Sequence, residues 1–194
     1  MKLHLAAAAL AGIVACTLAL PAQSNPYEAS MRDFLESEIL LWAFDPTIVQ
    51  AVEAQNEHNK ALTQPDIDAL DADWRSQVGT ASQPLVDAVL TNPASVFLNA
   101  RVAESAGTIT EIFVMDNHGL NVAATGATSD YWQGDEAKFQ QTYDVGAGAV
   151  HVGDVELDES TQTYQGQISV SIIDPDTREV IGAITVGLNA AMLY

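Results

Sequence analysis

The chain has 194 residues, with 26 acidic against 7 basic side chains and a formal net charge of −19. Nucleic acid and anionic membrane surfaces are polyanions, so this balance argues against both as partners. Hydrophobic residues make up 48% and charged ones 17%, which excludes a disordered acidic tail. The acidic residues are spread along the chain, as suits a soluble protein; attraction of a cationic ligand is the functional alternative.

Residues 1–24 read as a secretory signal peptide. Lys2 supplies a positive start, Leu5 to Leu20 is apolar and alanine-rich, and Ala22-x-Ser24 offers a small-x-small cleavage site. The run is shorter than the ~20 residues that span a bilayer. Ile13-Val14-Ala15-Cys16 resembles a lipoprotein processing box, the alternative being that Cys16 is a small residue within the leader. On that second reading the mature chain has no cysteine, hence no disulfide and no catalytic thiol. The expected location is periplasmic or secreted.

Residues 25–107 read as helices. Met31, Phe34, Leu35, Ile39 and Trp42 recur at helical steps. Asp45-Pro46 caps and restarts a helix that runs to about Asn59. Gln64-Pro65 starts another, with Ile67, Leu70 and Trp74 inward. Pro84 to Leu90 is a short piece. Asn92-Pro93 opens a helix carrying the apolar residues Val96, Phe97 and Ala100 until Gly107 stops it. Met31, Phe34, Leu35, Leu40, Leu41 and Trp42 together carry more apolar surface than one packed face needs, so a homodimer through this N-terminal helix is expected.

Residues 108–194 read as sheet. Ile109 to Met115 is a strand, Asp116-Asn117-His118-Gly119 a tight turn with His118 in solvent, and Leu120 to Thr125 a second strand. A polar and aromatic loop, Thr128 to Glu136, leads into a short helix with Asp135 and Glu136 in its first turn. Ala149 to Leu157 is a strand with a bulge at Gly153-Asp154. Asp158-Glu159-Ser160 turns the chain. Tyr164, Ile168, Val170 and Ile172 then alternate with Gln165, Gln167, Ser169 and Ser171, which predicts one buried and one wet face. Val180 to Leu188 is a near-continuous apolar strand, expected to be central.

Ile112-Phe113-Val114-Met115-Asp116-Asn117-His118-Gly119-Leu120-Asn121-Val122, followed by Asp130-Tyr131-Trp132-Gln133-Gly134-Asp135-Glu136-Ala137-Lys138, resembles the extracytoplasmic PAS-like sensor domains called Cache or PDC domains. Val180 to Gly187 is similar to the family's last strand. The resemblance implies an α+β fold, with long N-terminal helices packed on an antiparallel PAS-like sheet of about five strands. It also implies a small-molecule pocket covered by the loop after the second strand. The 25–194 region is then a single sensor domain of the stand-alone type, since no kinase or coiled-coil transducer follows within these residues.

Site residues follow from that picture. Asp130, Tyr131 and Trp132 are the leading ligand-binding candidates, with Asp135 and Tyr143 beside them; the alternative is that the two loop aromatics only cap the core. Arg101 could hold a carboxylate with its planar fork or could make an ordinary ion pair. The ligand class stays open among amino acids, carboxylates and amines, and a membrane-bound signalling partner is expected. Enzyme signatures are absent: no Gly-x-Ser-x-Gly, His-Glu-x-x-His or phosphate loop occurs. Asp154-x-Glu156-x-Asp158 lacks the following glycine and closing glutamate of a calcium loop. The expectation is a non-enzymatic binding domain without cofactor or metal. The alternative is an interaction protein that kept the fold and lost the pocket.

Overall fold

The computed structural model describes residues 25–158 and 163–193. The expected signal peptide and most of the turn after Asp158 lie outside these residues. Five helices come first: α1 (Glu28–Ser37), α2 (Pro46–Asn59), α3 (Gln64–Gln77), α4 (Pro84–Leu90) and α5 (Pro93–Glu104). The starts of α2, α3 and α5 are chemically marked. Asp45 accepts from Thr47 N, Thr63 and Asp66 form a capping box, and Asn92 accepts from Ser95 N. Each cap satisfies amide groups that a first helical turn leaves unpaired. Proline follows directly at or near the first helical position, where no amide is needed.

The strands β1 (Ile109–Met115), β2 (Asn121–Ala124), β3 (Val150–Asp158), β4 (Thr163–Ile173) and β5 (Val180–Asn189) form one antiparallel sheet in the order β2-β1-β5-β4-β3. β5 is central, as its apolar run predicts. The β3–β4 register shifts between Val152 and Val155, which places the expected bulge at Gly153 and Asp154.

Both faces of the sheet are covered. On one, Ile112, Val114, Ile168, Val170, Ile184 and Val186 meet α1, α2 and α5 through Met31, Leu35, Ile48, Val52 and Leu98. On the other, Phe113, Met115 and Ala183 meet Trp74 of α3, Val86 and Val89 of α4, and Tyr131 and Phe139 of the segment after β2.

The structure corrects the sequence pattern in three places. β4 has no wet face at its centre: Ser169 and Ser171 are buried, because the Ser169 hydroxyl bonds the Thr185 hydroxyl at 2.9 Å and the Ser171 hydroxyl accepts from Gly148 N, while Tyr164 is exposed, since it lies at the strand's outer end opposite exposed Leu157. α5 turns Ala94, Ser95 and Leu98 inward, while Val96 and Ala100 are exposed. The Ser95 hydroxyl explains this face, since it donates to Val89 O and accepts from Ala124 N. The first apolar run is not one helix. α1 ends at Ser37 and a 3-10 turn, Ile39–Leu41, follows, which keeps Ile39 and Ala43 inside and sends Leu41 out.

Candidate functional site

The segment from Gly126 to Gly148 is a strap across the second face of the sheet, fastened at both ends of its aromatic stretch. At the β1–β2 turn, Asp116 is fully buried and its carboxylate accepts four hydrogen bonds. They come from His118 N, Leu120 N, Gln55 Nε2 and Asn59 Nδ2. A buried carboxylate without a cation needs that saturation. The turn so held presents His118 O to Trp132 Nε1 at 2.8 Å and Gly119 O to Gln133 N at 2.8 Å. His118 is not solvated; its Nε2 is buried and lacks a partner.

On the other side, α3 grips the strap. Asp71 Oδ1 accepts from Tyr131 N at 2.8 Å and from Trp132 N at 3.1 Å. Arg75 bridges Asp71 and Asp130, at 2.8 and 3.0 Å. Trp74 stacks on Tyr131 with ring centroids 5.2 Å apart, and its Nε1 donates to Thr128 O.

The sequence candidates therefore separate. Asp130 points to Arg75. Tyr131 is packed into the core, and burial, helped by the Asp116 charge, drives its hydroxyl well above the ordinary phenol range. Trp132 is half-buried against the turn. Asp135 is exposed. Tyr143 stacks on Phe139 at 4.9 Å; burial first, then Asp144 and Asp116, raise its hydroxyl. Arg101 lies on α5, a helix of the opposite sheet face, so it does not flank the strap. It pairs with Glu104 at 2.9 Å, sits 5.1 Å from the Phe97 ring centroid, and leaves a buried Nε without a partner. It lines a hollow of about 430 Å³ with Phe34 and Trp42. A shallower groove of about 620 Å³ runs between α2 and the start of α5.

A different cleft borders the strap. Its volume is about 520 Å³, and it opens between the short helix α6 (Ala137–Gln140) and the bulged end of β3 and β4. Glu136, Lys138, Asp154, Glu156, Gln165 and Gln167 supply its polar lining. Asp135 and Glu136 precede α6 rather than forming its first turn, and Glu136 pairs with Lys138 at 2.9 Å. Lys138 Nζ also lies 5.2 Å from the Phe113 ring centroid. Gln165 and Gln167 both donate to Glu111 Oε1, at 2.9 Å. On the same sheet face, His151 is held below the ordinary imidazole value by burial and then by the Lys138 ammonium. The cleft is thus amide-rich and acidic, with its one lining cation already paired.

None of the six sequence candidates lines this cleft. The alternation of Gln165 and Gln167 with apolar residues was the available signal, but it reads equally as a solvent face. Among the described residues, no group of three or more His, Cys, Asp or Glu is placed to hold a metal, and no helix is long and apolar enough to cross a membrane.

No protein-family model matches the chain, and neither does any curated protein. Among solved structures it is similar to the sensor domain of the V. cholerae histidine kinase DctB, at 11% identity and a TM-score of 0.45, over 86% of this chain and 53% of that one. It is similar to the sensory domain of the Campylobacter jejuni chemoreceptor Tlp3, at 15% identity and a TM-score of 0.43, over 86% and 65%. The ligand-binding domain of that chemoreceptor in complex with L-valine gives 15% identity and a TM-score of 0.42, over 86% and 64%. The chain spans about half to two thirds of the length of these chains. With α1, α2 and α5 on one face of the sheet and α3, α4 and the strap on the other, the chain has an α+β fold built on a five-stranded antiparallel, PAS-like sheet.

Proposed function

We propose that this chain is an exported sensor-type domain that binds a small cationic metabolite, an amine, in the cleft beside α6 and passes its occupancy to a membrane-bound signalling partner. The observation that carries the ligand class is the charge of the cleft. Glu136, Asp154 and Glu156 line it against Lys138 alone, and Lys138 is already paired with Glu136. A concave site with one sign of charge concentrates the opposite sign. The amides of Gln165 and Gln167, held by Glu111, add fixed hydrogen-bonding groups that can orient a polar ligand.

A thermal-shift screen tests this. Amines, quaternary ammonium compounds, amino acids and dicarboxylates are added separately, and binding to the folded state raises the melting temperature by mass action. Amines should shift it, and Glu136→Gln with Glu156→Gln should remove the shift. A shift by dicarboxylates alone, or by nothing, overturns the reading.

The second reading is an interaction domain without a ligand pocket. It is favoured by the closed packing of the strap, where Tyr131 stacks on Trp74 and the Trp132 indole is bound to His118 O. A silent screen supports it. Export is tested by mass spectrometry of the mature N-terminus, expected near Ser24; an intact Met1 or a lipid on Cys16 overturns a soluble periplasmic location.

Self-association belongs to the same proposal, with an altered seam. Met31 and Leu35 face the core, so the dimer surface reduces to Phe34, Leu40, Leu41 and Trp42. Leu41 is 77% exposed at the hollow that it lines together with Phe34, Trp42 and Arg101. A two-fold contact can seat each Leu41 in the other copy's hollow. Sedimentation should show association at tens of micromolar, on the order of a weak dimer's affinity, and Leu41→Glu should abolish it. A wild-type monomer at that concentration removes the dimer.

A further inference from the structure

The two edges of the sheet are treated differently. β2 is closed off by α5: Asn92 Nδ2 donates to Val122 O at 2.8 Å, and Ser95 Oγ accepts from Ala124 N at 2.9 Å. β3, at the other end of the strand order, has no strand on its outer side among the described residues. Ser171 N donates to Ala149 O, and the register continues through Val150↔Val170, His151↔Ser169 and Val152↔Ile168. Antiparallel ladders alternate, so the N–H and C=O of Val150 and Val152 point away from β4. Asn25 Nδ2 donates to Gly153 O and covers the bulge.

Past the bulge the side chains alternate in kind. Glu156, paired with Gln165, is exposed on the cleft face, with exposed Asp154 just before it. Leu157 lies opposite Tyr164 on the other face, and the two are 46% and 62% exposed. A second copy is a poor occupant of this edge. Antiparallel self-pairing brings Asp154 and Glu156 of two chains together, and like charges facing one another across strands destabilise the pair. The same carboxylates favour a strand of opposite charge.

We infer that the outer edge of β3 accepts an extended segment of a partner protein as a sixth strand, one that alternates basic with apolar residues. Backbone hydrogen bonds to Val150 and Val152 fix its register. Its basic side chains meet Asp154 and Glu156, and its apolar ones lie on Leu157 and Tyr164. The inference does not rest on the cleft reading, although Asp154 and Glu156 belong to the rim of both.

The test uses the full chain and a fluorescent synthetic peptide of alternating lysine and valine, followed by anisotropy. Binding should weaken by about tenfold or more in Asp154→Lys/Glu156→Lys. It should weaken comparably in Val152→Pro, which deletes an outward N–H that the ladder with β4 does not use. It should also weaken when alternate backbone amides of the peptide are N-methylated. Glu136→Gln, confined to the cleft, should leave peptide binding unchanged. Equal binding of the N-methylated peptide means that charge alone acts and overturns the inference. So does an absence of binding by the unmodified peptide, and so does a self-associated form that Val152→Pro dissolves.

Discussion

Gly119, at the end of the β1–β2 turn, lies directly against Gly134 of the strap: a Cβ on Gly119 would come within 2.6 Å of Gly134 Cα. Gly119 also has φ of 82°, which side-chain-bearing residues adopt only with strain. Gly119→Ala should therefore destabilise the fold by about 2–4 kcal/mol, from backbone strain and overpacking combined. A urea midpoint within error of wild type would show that the turn and strap are not in contact in solution. Gly134→Ala should also destabilise, because its Cβ would strike the Trp132 indole and lie 2.9 Å from His118 O.

The two tryptophans of this region should behave differently. Trp74 is fully buried and stacked, so Trp74→Ala should cost about 3–5 kcal/mol and abolish near-ultraviolet ellipticity from the aromatic pair. Trp132→Phe keeps most of the ring but deletes the donor to His118 O. It should cost about 1 kcal/mol and leave a cooperative melt. If the order of the two effects is reversed, the strap is held by the turn and not by α3. Asp130→Asn should not alter ligand binding at the cleft, since that carboxylate faces Arg75.

These contrasts mark what was legible in the sequence. Asp45-Pro46, Gln64-Pro65 and Asn92-Pro93 announce three helices because capping is local chemistry, readable within four residues. The period-two run of β4 and the apolar run of β5 are likewise local. What was not legible depends on distant partners. Ser95 is buried because the edge of β2 needs its hydroxyl, and Ser169 because Thr185 stands across from it. The loop aromatics drew attention as large apolar surfaces in a polar stretch. That they pack inward follows from Asp71 and Trp74, some sixty positions earlier. The cleft beside α6 is assembled from β3, β4 and the strap, and no single stretch reveals it.

Stability should fall as pH drops below about 6.5, through His151. Burial and the nearby Lys138 ammonium depress its folded pKa. As pH falls, the unfolded chain takes up the proton first, so the unfolded state gains on the folded one. The contribution is intact above the unfolded value of about 6.5 and is lost progressively as pH falls toward the folded value. Asp66 and Asp174, whose carboxyls are lowered chiefly by side-chain bonds from Thr63 and Thr177, act in the same sense in a more acidic window. His151→Gln should flatten the upper window alone. Urea midpoints that still fall equally there in the variant would assign the effect to another group.

Asp71 is the residue on which the strap depends most. It is nearly buried, and one of its oxygens accepts two successive backbone amides, Tyr131 N and Trp132 N, while the other receives Arg75. Removing the carboxylate strands two inward-facing amides, and an unsatisfied buried donor costs about 1–3 kcal/mol. The Arg75 bridge itself contributes little, because Arg75 is half-exposed and such pairs are screened. Asp71→Ala should thus destabilise by about 2–4 kcal/mol, while Arg75→Ala stays within about 1 kcal/mol of wild type. Asp71→Asn separates the two roles, since its carbonyl can keep the amides while its NH₂ faces the guanidinium. Amide exchange gives the clearest readout. In Asp71→Ala, protection at Tyr131, Trp132 and Gln133 should fall toward that of open loops, while β5 keeps the protection of the global fold. If protection is lost uniformly, the strap and the sheet unfold as one unit.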